Sequence, residues 1–282
     1  MKPAITILAI LFLGLSVHGQ HDHSGPNILW DQPDIKSQVI KRLGIKAMKV
    51  HAYKAPLTRG NGVNEQEHFF FNDKGKLTKS IELVQQDTNS VHTYHYNKKG
   101  VLGWKHTQDK KWNRIYREGY RFNSAENVYQ VKAYEMLRNR ERMLLDTRQY
   151  IYNNDSTLIA IRSMENNKLV AVHKFEYNKK GQVKKEIFED GSNKVLQSVS
   201  YGYDAEGRIA RVVMDKGMIS EYLYEYNSQG QPLQIQMAEN GKVKGLVVYQ
   251  YNTNGLVAQL DKIINPDTSE ENHFVKVFQY KK

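Results

Sequence analysis

The clearest pattern in this chain is an aromatic residue, any residue, a second aromatic residue and then Asn or Asp, with Gly usually three positions later. Successive copies are 23 to 30 residues apart, and the second aromatic residues occupy positions 71, 96, 122, 152, 177, 203, 226, 251 and 280. A recurrence of this length is typical of repeat proteins. The pattern therefore predicts one structural unit copied along most of the chain.

Each aromatic pair predicts a β-strand. Side chains alternate between the two faces of a strand, so two aromatic residues separated by one residue share a face, and aromatic residues favour half-buried strand surfaces. We expect these rings to be buried on one face of a sheet: Phe69, Phe71, Tyr94, Tyr96, Phe175, Tyr177, Tyr201, Tyr203, Tyr224, Tyr226, Tyr249 and Tyr251.

The residues after each pair predict a tight hairpin turn. The Asn or Asp side chain can accept hydrogen bonds from nearby backbone N–H groups, and the Gly suits the positive φ of a type I turn closed by a bulge. The glycines concerned are Gly75, Gly100, Gly181, Gly207, Gly230 and Gly255. The copies at Phe122 and Tyr152 have no Gly at this position. We therefore expect longer or distorted turns in those two copies.

A return strand is predicted after every turn. An apolar residue stands six positions after the second aromatic residue in seven copies, and Pro232 takes that place in the eighth. A second, looser set of turn residues lies between one motif and the next, at positions 86–89, 138–141, 166–167, 190–193 and 240–241. Each repeat is therefore predicted to contain two antiparallel strands and two turns.

Residues 203–209 read Tyr-Asp-Ala-Glu-Gly-Arg-Ile. This copy resembles the tyrosine-aspartate (YD) repeat of RHS-type proteins, whose core is Tyr-Asp-x-x-Gly-Arg followed by Leu or Ile. The other full copies carry Asn in place of the Asp, and the similarity of frame extends over about residues 69 to 280. The resemblance implies a curled β-shell, which is the arrangement of the repeats in large members of that family.

The predicted fold is all-β. Eight repeats and a final half-copy give about 17 strands, and open sheets rarely exceed about 10 strands without curling. We expect an antiparallel β-meander of hairpin repeats that forms a large curled sheet over residues 67–282. Residues 20–66 are predicted to hold a polar tail, one short helix over residues 31–44 that ends at Gly44, a first strand over residues 45–53 and a loop.

Residues 1–19 are typical of a signal peptide. Lys2 precedes an uncharged apolar stretch over residues 5–17, and Val17-His18-Gly19 suits a signal peptidase. The stretch is shorter than the roughly 20 residues that span a bilayer, and we expect no transmembrane segment. The chain contains no Cys, which excludes disulfides and thiol nucleophiles. These features predict an exported, soluble protein, either periplasmic or extracellular.

Candidate catalytic and metal-binding residues are few. The chain has no zincin, nucleophile-elbow, phosphate-loop or dinucleotide motif, so we expect neither enzymatic activity nor a cofactor. His21 and His23 offer donors for a transition metal, but we interpret them as part of a polar tail, and no metal site is predicted. His92 and His173 are interpreted as strand positions. Glu186 and Glu189 are an odd number of residues apart, which predicts opposite faces and solvated side chains.

The net charge indicates anionic partners. The formal charge of +11 becomes +10 without Lys2, and such a charge attracts anions over a distance. The basic residues that we interpret as a candidate binding site are Lys179, Lys180, Lys184, Lys185, Arg138, Arg140 and Arg142. Candidate partners are an acidic glycan, lipid head groups or a protein, and binding of nucleic acid would not depend on sequence. The alternative interpretation is a solvated rim of turns without a partner.

Three functional hypotheses follow. The first is an exported, non-catalytic binding or structural scaffold for anionic polymers or surfaces. The second is a periplasmic carrier that holds an apolar ligand in the hollow of the curled sheet. The third, an enzyme, would need polar groups that converge in a cleft. The position of the aromatic face, either packed against other elements or lining an open hollow, distinguishes the first two.

Overall fold

The computed structural model of the protein describes residues 37–55, 65–125, 127–137, 141–265 and 272–282. Within these residues the chain forms one short helix, α1 (Ser37–Arg42), and eighteen strands. The first nine strands are β1 (Ala47–Ala55), β2 (Glu65–Phe71), β3 (Leu77–Val84), β4 (Asp87–Tyr96), β5 (Leu102–Asp109), β6 (Arg114–Phe122), β7 (Val128–Met136), β8 (Arg142–Tyr152) and β9 (Leu158–Glu165). The others are β10 (Lys168–Tyr177), β11 (Val183–Asp190), β12 (Val195–Tyr203), β13 (Ile209–Asp215), β14 (Ile219–Tyr226), β15 (Pro232–Glu239), β16 (Lys242–Tyr251), β17 (Val257–Ile264) and β18 (Asn272–Lys281).

The eighteen strands of the described residues close into a barrel. Every strand pairs antiparallel with the next along the chain, and β1 also pairs with β18 along its whole length, from Ala47 opposite Lys281 to Ala55 opposite His273. The predicted meander is confirmed. The sheet is closed rather than merely curled as predicted, because β1, at the predicted first strand, pairs with both β2 and β18.

The tight turns have the predicted geometry. All six predicted glycines have φ between 73° and 81°. The register also shifts by one residue at the second aromatic position of each of the eight full copies, for example between Gly202 and Tyr203, which adds a bulge to the strand beside the turn. The Asp or Asn side chain accepts backbone N–H bonds within the turn, as Asn178 Oδ1 does from Lys180 N at 2.9 Å and from Gln182 N at 3.0 Å.

Both copies without Gly close with the same backbone bond as the others, so the prediction of longer turns is wrong; the Tyr152 copy is also undistorted, whereas residue 126 of the Phe122 copy lies outside the described residues. Asn153 N donates to Thr157 O at 2.9 Å, and Ser156 takes the Gly position with a φ of 61°. Asn123 N donates to Asn127 O at 2.9 Å in the other copy. The hydrogen bonds to the Asn side chains hold these turns closed without the glycine.

The aromatic pairs share one face of the sheet. The cross-strand register places Tyr201 opposite Val212 and Tyr224 opposite Ile235, and these aliphatic partners are buried. Twelve buried apolar residues of the strands lie on this face: Met48, Val50, Phe69, Val131, Val199, Val212, Met214, Tyr222, Ile235, Val247, Leu260 and Phe278. We therefore assign it as the inner face of the barrel. Of the twelve predicted rings only Phe69 is fully buried, and the others are half-buried.

The short helix lies directly before β1. It covers the second half of the predicted helix, since residues 31–36 lie outside the described part of the chain. Ile40 is completely buried, and Gly44, with a φ of 66°, ends the helix as predicted. Ile45 N donates to Ile40 O at 3.0 Å, which leads the chain into the sheet.

The barrel has two rims with different turns. The first rim is made of the eight Asn or Asp turns together with residues 45–46 and 281–282. The second rim is made of the looser turns between odd-numbered and even-numbered strands, from β3 and β4 to β17 and β18. These turns also reverse the chain through residues with positive φ, such as Asn166 and Asn167, Asn193, and Asn240 and Gly241.

Candidate functional site

The inner face carries charged residues at one repeated position. This position is two residues before the first aromatic residue, and its side chain therefore lies on the same face as the rings. It holds titratable side chains in the first five copies and apolar or aromatic ones in the next three: Glu67, His92, Glu118, Arg148, His173, Val199, Tyr222 and Val247. The inner face therefore has a charged half, from β2 to β11, and a mainly apolar stretch from β12 to β16, while the final half-copy on β18 again carries a titratable residue, Lys276, at this position.

An ion-pair cluster on β5, β6 and β8 forms the centre of the charged half. Arg148 Nη2 donates to Glu118 Oε1 at 2.5 Å, and Lys105 Nζ lies 4.0 Å from Glu118 Oε2. Arg148 Nε lies 3.0 Å from Asp146 Oδ2. Burial lowers the pKa of Lys105 and raises that of Asp146. Two bases and two acids balance, so this inner face cluster has no net charge to offer a ligand.

His92 extends this network toward β3. Its Nε2 is 3.0 Å from Ser90 Oγ, which donates to Glu82 Oε2 at 2.8 Å, and its Nδ1 is 2.9 Å from Thr107 Oγ1. Because the Ser90 hydroxyl proton points to Glu82, His92 Nε2 acts as the donor and a neutral imidazole satisfies every contact. Burial, with the nearby charge of Lys105, lowers the pKa of His92 to about 4.

Glu186 is buried rather than solvated. Its side chain accepts from Tyr201 Oη at 2.7 Å and lies 2.7 Å from His173 Nε2, while the ring of Phe188 stacks on His173 at 4.0 Å. The residue is 2 % exposed. Burial, together with the charge of Glu186, raises the pKa of Tyr201.

Glu189 lies on the outer face, as the odd spacing predicted, but it is only 7 % exposed. Lys174 Nζ donates to its Oε1 at 2.6 Å. The prediction of opposite faces for Glu186 and Glu189 is confirmed, and the interpretation that both are solvated is wrong. Alternation along a strand identifies the face, whereas closure of the barrel and neighbouring side chains determine how much water reaches it.

Three of the predicted lysines line one depression at the first rim. Its volume is about 490 Å³, and its lining consists of Asn178, Lys179, Lys180, Gln182, Lys184, Tyr201, Tyr203 and Asp204. The depression is open to solvent and lies at the end of the barrel where β11 begins and β12 ends. The polar groups between the lysines are held in place, since Gln182 Nε2 donates to Gly207 O at 2.9 Å and Asn178 Nδ2 donates to Gln182 Oε1 at 2.9 Å.

The other predicted basic residues lie elsewhere. Lys185 pairs with Ser200 in the register and therefore points to the outer face, away from Lys184. Arg142 begins β8 and is exposed at the second rim, the opposite end of the barrel. Arg138 and Arg140 lie outside the described residues. The seven residues therefore do not form one site.

The first rim is strongly basic over its described residues. Its ten basic residues are Lys46, Lys74, Lys76, Lys98, Lys99, Lys179, Lys180, Arg208, Lys281 and Lys282, against the four acids Asp73, Asp155, Asp204 and Glu206. Three of these acids are already in ion pairs. Lys46 contacts Asp73, and Arg208 lies 2.6 Å from Asp204 and 3.0 Å from Glu206.

Two further features concern the described residues alone. No group of three or more His, Asp or Glu side chains there could hold a metal ion, and His21 and His23 lie outside this part of the chain. No helix among the same residues is long and apolar enough to cross a bilayer.

Comparison with known proteins yields distant structural similarity only. No family model and no curated protein matches the sequence. Among solved structures, a porin-like protein from Bacteroides uniformis is 7% identical, with 84% of this chain and 98% of that chain covered and a TM-score of 0.44. A TcdB2-TccC3 structure without its hypervariable C-terminal region is 12% identical over 73% of this chain and 13% of that one, with a TM-score of 0.28. A putative outer membrane lipoprotein-sorting protein domain from Vibrio parahaemolyticus is 7% identical over 87% and 92%, with a TM-score of 0.22.

Proposed function

We propose that this protein is an exported, non-catalytic binding scaffold that holds an anionic polymer, such as an acidic glycan, at the first rim. The observation that carries the proposal is the depression that Lys179, Lys180 and Lys184 line together with Tyr201 and Tyr203. Lysines present several donors to an anionic group, and tyrosine rings offer a flat surface beside them.

The charge of the whole rim supports this proposal. Because most of its acids are neutralised by Lys46 and Arg208, the lysines of neighbouring turns add a positive field around the depression. Such a field attracts a polyanion that passes over several turns. Attraction between exposed charges is screened over about 8 Å at physiological salt, so this binding should weaken as salt rises.

The experiment compares two faces of the same strand. Lys184→Gln is the test variant, and Lys185→Gln, which removes the same charge from the outer face, is its control; a further variant, in which Lys179, Lys180 and Lys184 are all replaced by Gln, extends the test to the whole depression. Elution from a heparin matrix along a salt gradient is measured for the full chain. We expect the test variant to elute at lower salt than the control and the unmodified chain. Equal elution of all three would contradict the proposal.

A carrier is the second candidate function. The buried apolar residues of the inner face, such as Val212, Met214 and Ile235, favour an apolar ligand in the hollow of the barrel. The test is displacement of a fluorescent fatty acid by unlabelled fatty acid. Saturable binding that survives the three lysine substitutions would favour the carrier over the scaffold.

The proposal includes three further statements. The protein has no catalytic activity, it is exported, and it belongs to the YD-repeat family. The signal-peptide pattern of residues 1–19 supports export. A hydrolytic activity in the purified protein that depends on Glu186 or His173 would contradict the non-catalytic assignment.

A further inference from the structure

The second rim carries a ring of exposed apolar side chains. Fifteen large apolar residues are exposed among the described residues, and ten of them lie at this one end of the barrel. These ten are Val84, Trp112, Leu137, Met143, Val195, Leu196, Met218, Ile219, Val243 and Phe274. They come from seven of the eight turns of this rim, and we call them the apolar ring.

The exposure of these side chains is large. Trp112 is 66 % exposed, and Val195, Leu196, Met218 and Ile219 are between 52 and 56 % exposed. An apolar surface that is concentrated in this way on a folded chain marks a site of contact with another molecule or with a membrane. The remaining five exposed apolar residues are scattered over the first rim and the outer face.

Basic residues stand directly beside the apolar ring in five turns. The pairs are Lys111 with Trp112, Arg142 with Met143, Lys194 with Val195, Lys216 with Met218, and Lys242 with Val243. Lys111 Nζ lies 5.3 Å from the centre of the Trp112 ring. Tryptophan and aliphatic residues flanked by Lys or Arg are the combination that lies at the interface of an anionic bilayer.

Acidic residues stand in the same five turns: Glu141 and Glu239 lie near Arg142 and Lys242, and in the other three turns the carboxylate accepts a backbone N–H bond. Asp109 Oδ1 accepts from Trp112 N at 2.9 Å, Asp190 Oδ1 accepts from Lys194 N at 3.0 Å, and Asp215 Oδ1 accepts from Gly217 N at 2.9 Å. These bonds keep the carboxylates at the base of each turn, next to the backbone. In these three turns the basic and apolar residues come after the acidic residue in the sequence.

The width of the ring requires a broad partner. Eighteen strands at a spacing of about 4.8 Å make a sheet at least about 85 Å around. A small ligand or a single peptide cannot contact all seven turns. A second copy of the chain is the other partner of this breadth, and dimers are one outcome of the test.

We propose that the apolar ring docks the barrel on the surface of an anionic lipid bilayer. The apolar side chains enter the head-group region, and the neighbouring basic residues contact lipid phosphates. This docking is independent of the polymer site, which lies on the opposite rim, so that rim stays accessible while the second rim rests on lipid.

The experiment is flotation of the full chain with vesicles of phosphatidylcholine alone or of equal parts phosphatidylcholine and phosphatidylglycerol. The test variant replaces Leu196, Met218 and Ile219 by Ser. The control variant replaces Leu223 and Leu233 by Ser, which are exposed to a lesser but comparable degree away from this rim. The apolar residues near the amino terminus are common to all variants and affect each equally.

We expect the unmodified chain and the control to float with the phosphatidylglycerol vesicles, and the test variant to lose binding by about tenfold or more. We also expect Trp112 emission to shift to shorter wavelength on these vesicles, by comparison with a Trp112→Phe variant. Equal flotation of the test variant and the control would overturn the proposal, as would equal binding to both kinds of vesicle. A chain that forms dimers in solution, which the test variant dissociates, would show that a second copy covers the ring instead.

Discussion

At the scale of single residues, one glycine shows how local chemistry determines the turns. Gly207 has a φ of 81°, and a Cβ built on it would come within 3.2 Å of Gln182 Nε2. That same amide donates to the carbonyl of Gly207. A side chain at this position would therefore strain the backbone and disturb a contact between neighbouring turns.

We predict that Gly207→Ala lowers the free energy of unfolding by about 1 kcal/mol or more. The matched control is Gly119→Ala, because Gly119 lies within a strand and a Cβ there meets nothing within 4 Å. Chemical denaturation of both variants measures the difference. Equal stability of the two variants would contradict the turn assignment.

His92, another single residue, makes the stability of the fold depend on pH. Its pKa is lowered from 6.5 to about 4 in the folded chain, so between these values the unfolded chain binds a proton that the folded chain does not. Stability therefore falls as the pH decreases from about 6.5 to about 4. We expect His92→Gln to reduce this loss, measured as the change in Tm between pH 7 and pH 4.5. A loss as large as in the unmodified chain would show that other groups cause it.

Glu186 is predicted to be a structural residue of the inner face. Its replacement by Ala leaves Tyr201 Oη and His173 Nε2 without their acceptor in a buried site, which typically costs about 3 kcal/mol or more. Glu206→Ala is the control, since Glu206 is exposed on the first rim. Urea denaturation should separate the two variants clearly, and equal midpoints would contradict the assigned role.

At the scale of strands, the second aromatic residue also connects neighbouring strands. Seven tyrosines at this position donate to the carbonyl of the first residue of the preceding strand at 2.6 to 2.8 Å: Tyr96, Tyr152, Tyr177, Tyr203, Tyr226, Tyr251 and Tyr280. These hydroxyls join each even-numbered strand from β4 onward to its neighbour, apart from β6. Phe122 stands at this position in β6 and cannot donate.

We predict opposite effects from adding and removing this hydroxyl. Tyr203→Phe should lower stability by about 1 kcal/mol, because the bond to Val183 O is lost. Phe122→Tyr should raise stability, because the new hydroxyl can reach Leu102, the first residue of β5. Thermal unfolding of the two variants measures both changes. A destabilised Phe122→Tyr variant would show that this site cannot accommodate the bond.

The strands and turns could be predicted from the sequence because their causes are local. Asn at the start of a turn, Gly three positions later and aromatic residues on alternate positions act within one hairpin, and Gly181 and Gly255 have the predicted conformation. The same alternation also contained a signal for the inner charged residues. Glu118 and Arg148 stand two positions before Tyr120 and Tyr150, which places all four on one face.

Two other features could not be predicted in this way, because they depend on distant parts of the chain. Alternation along β11 already places Lys184 and Lys185 on opposite faces, but only the pairing of β11 with β12 brings Lys184 into one depression with Tyr201 and Tyr203. Closure depends on β1 and β18, whose partners Ala47 and Lys281 are at opposite ends of the described chain. A periodic sequence pattern predicts each hairpin, but it does not show that the first and last strands of the described chain pair with each other.

At the scale of the whole barrel, β1 removes both edges of the sheet at once. Val50 lies opposite Phe278 on one side and Glu67 on the other. Without β1 the described sheet would have seventeen strands and two unpaired edges, and exposed edges promote association between chains.

We predict that Val50→Pro opens the barrel, because Pro cannot donate to either neighbouring strand and is disfavoured within a sheet. The expected results are a stability loss of about 3 kcal/mol or more and concentration-dependent association, measured by light scattering. Lys49→Ala, at an exposed neighbouring position, is the control. A monomeric Val50→Pro variant of normal stability would show that closure by β1 is dispensable.

The pairing of β1 with β18 also limits how chains of this kind can change in length. A duplication that adds one whole repeat inserts two strands, leaves every neighbour antiparallel and widens the ring. A duplication or deletion of a single strand reverses the direction of every later strand, so the last strand meets β1 in parallel and the two rims exchange turns. Related genes should therefore differ by whole hairpins, and a designer could enlarge the interior by inserting residues 204–226 a second time, a segment of one complete repeat.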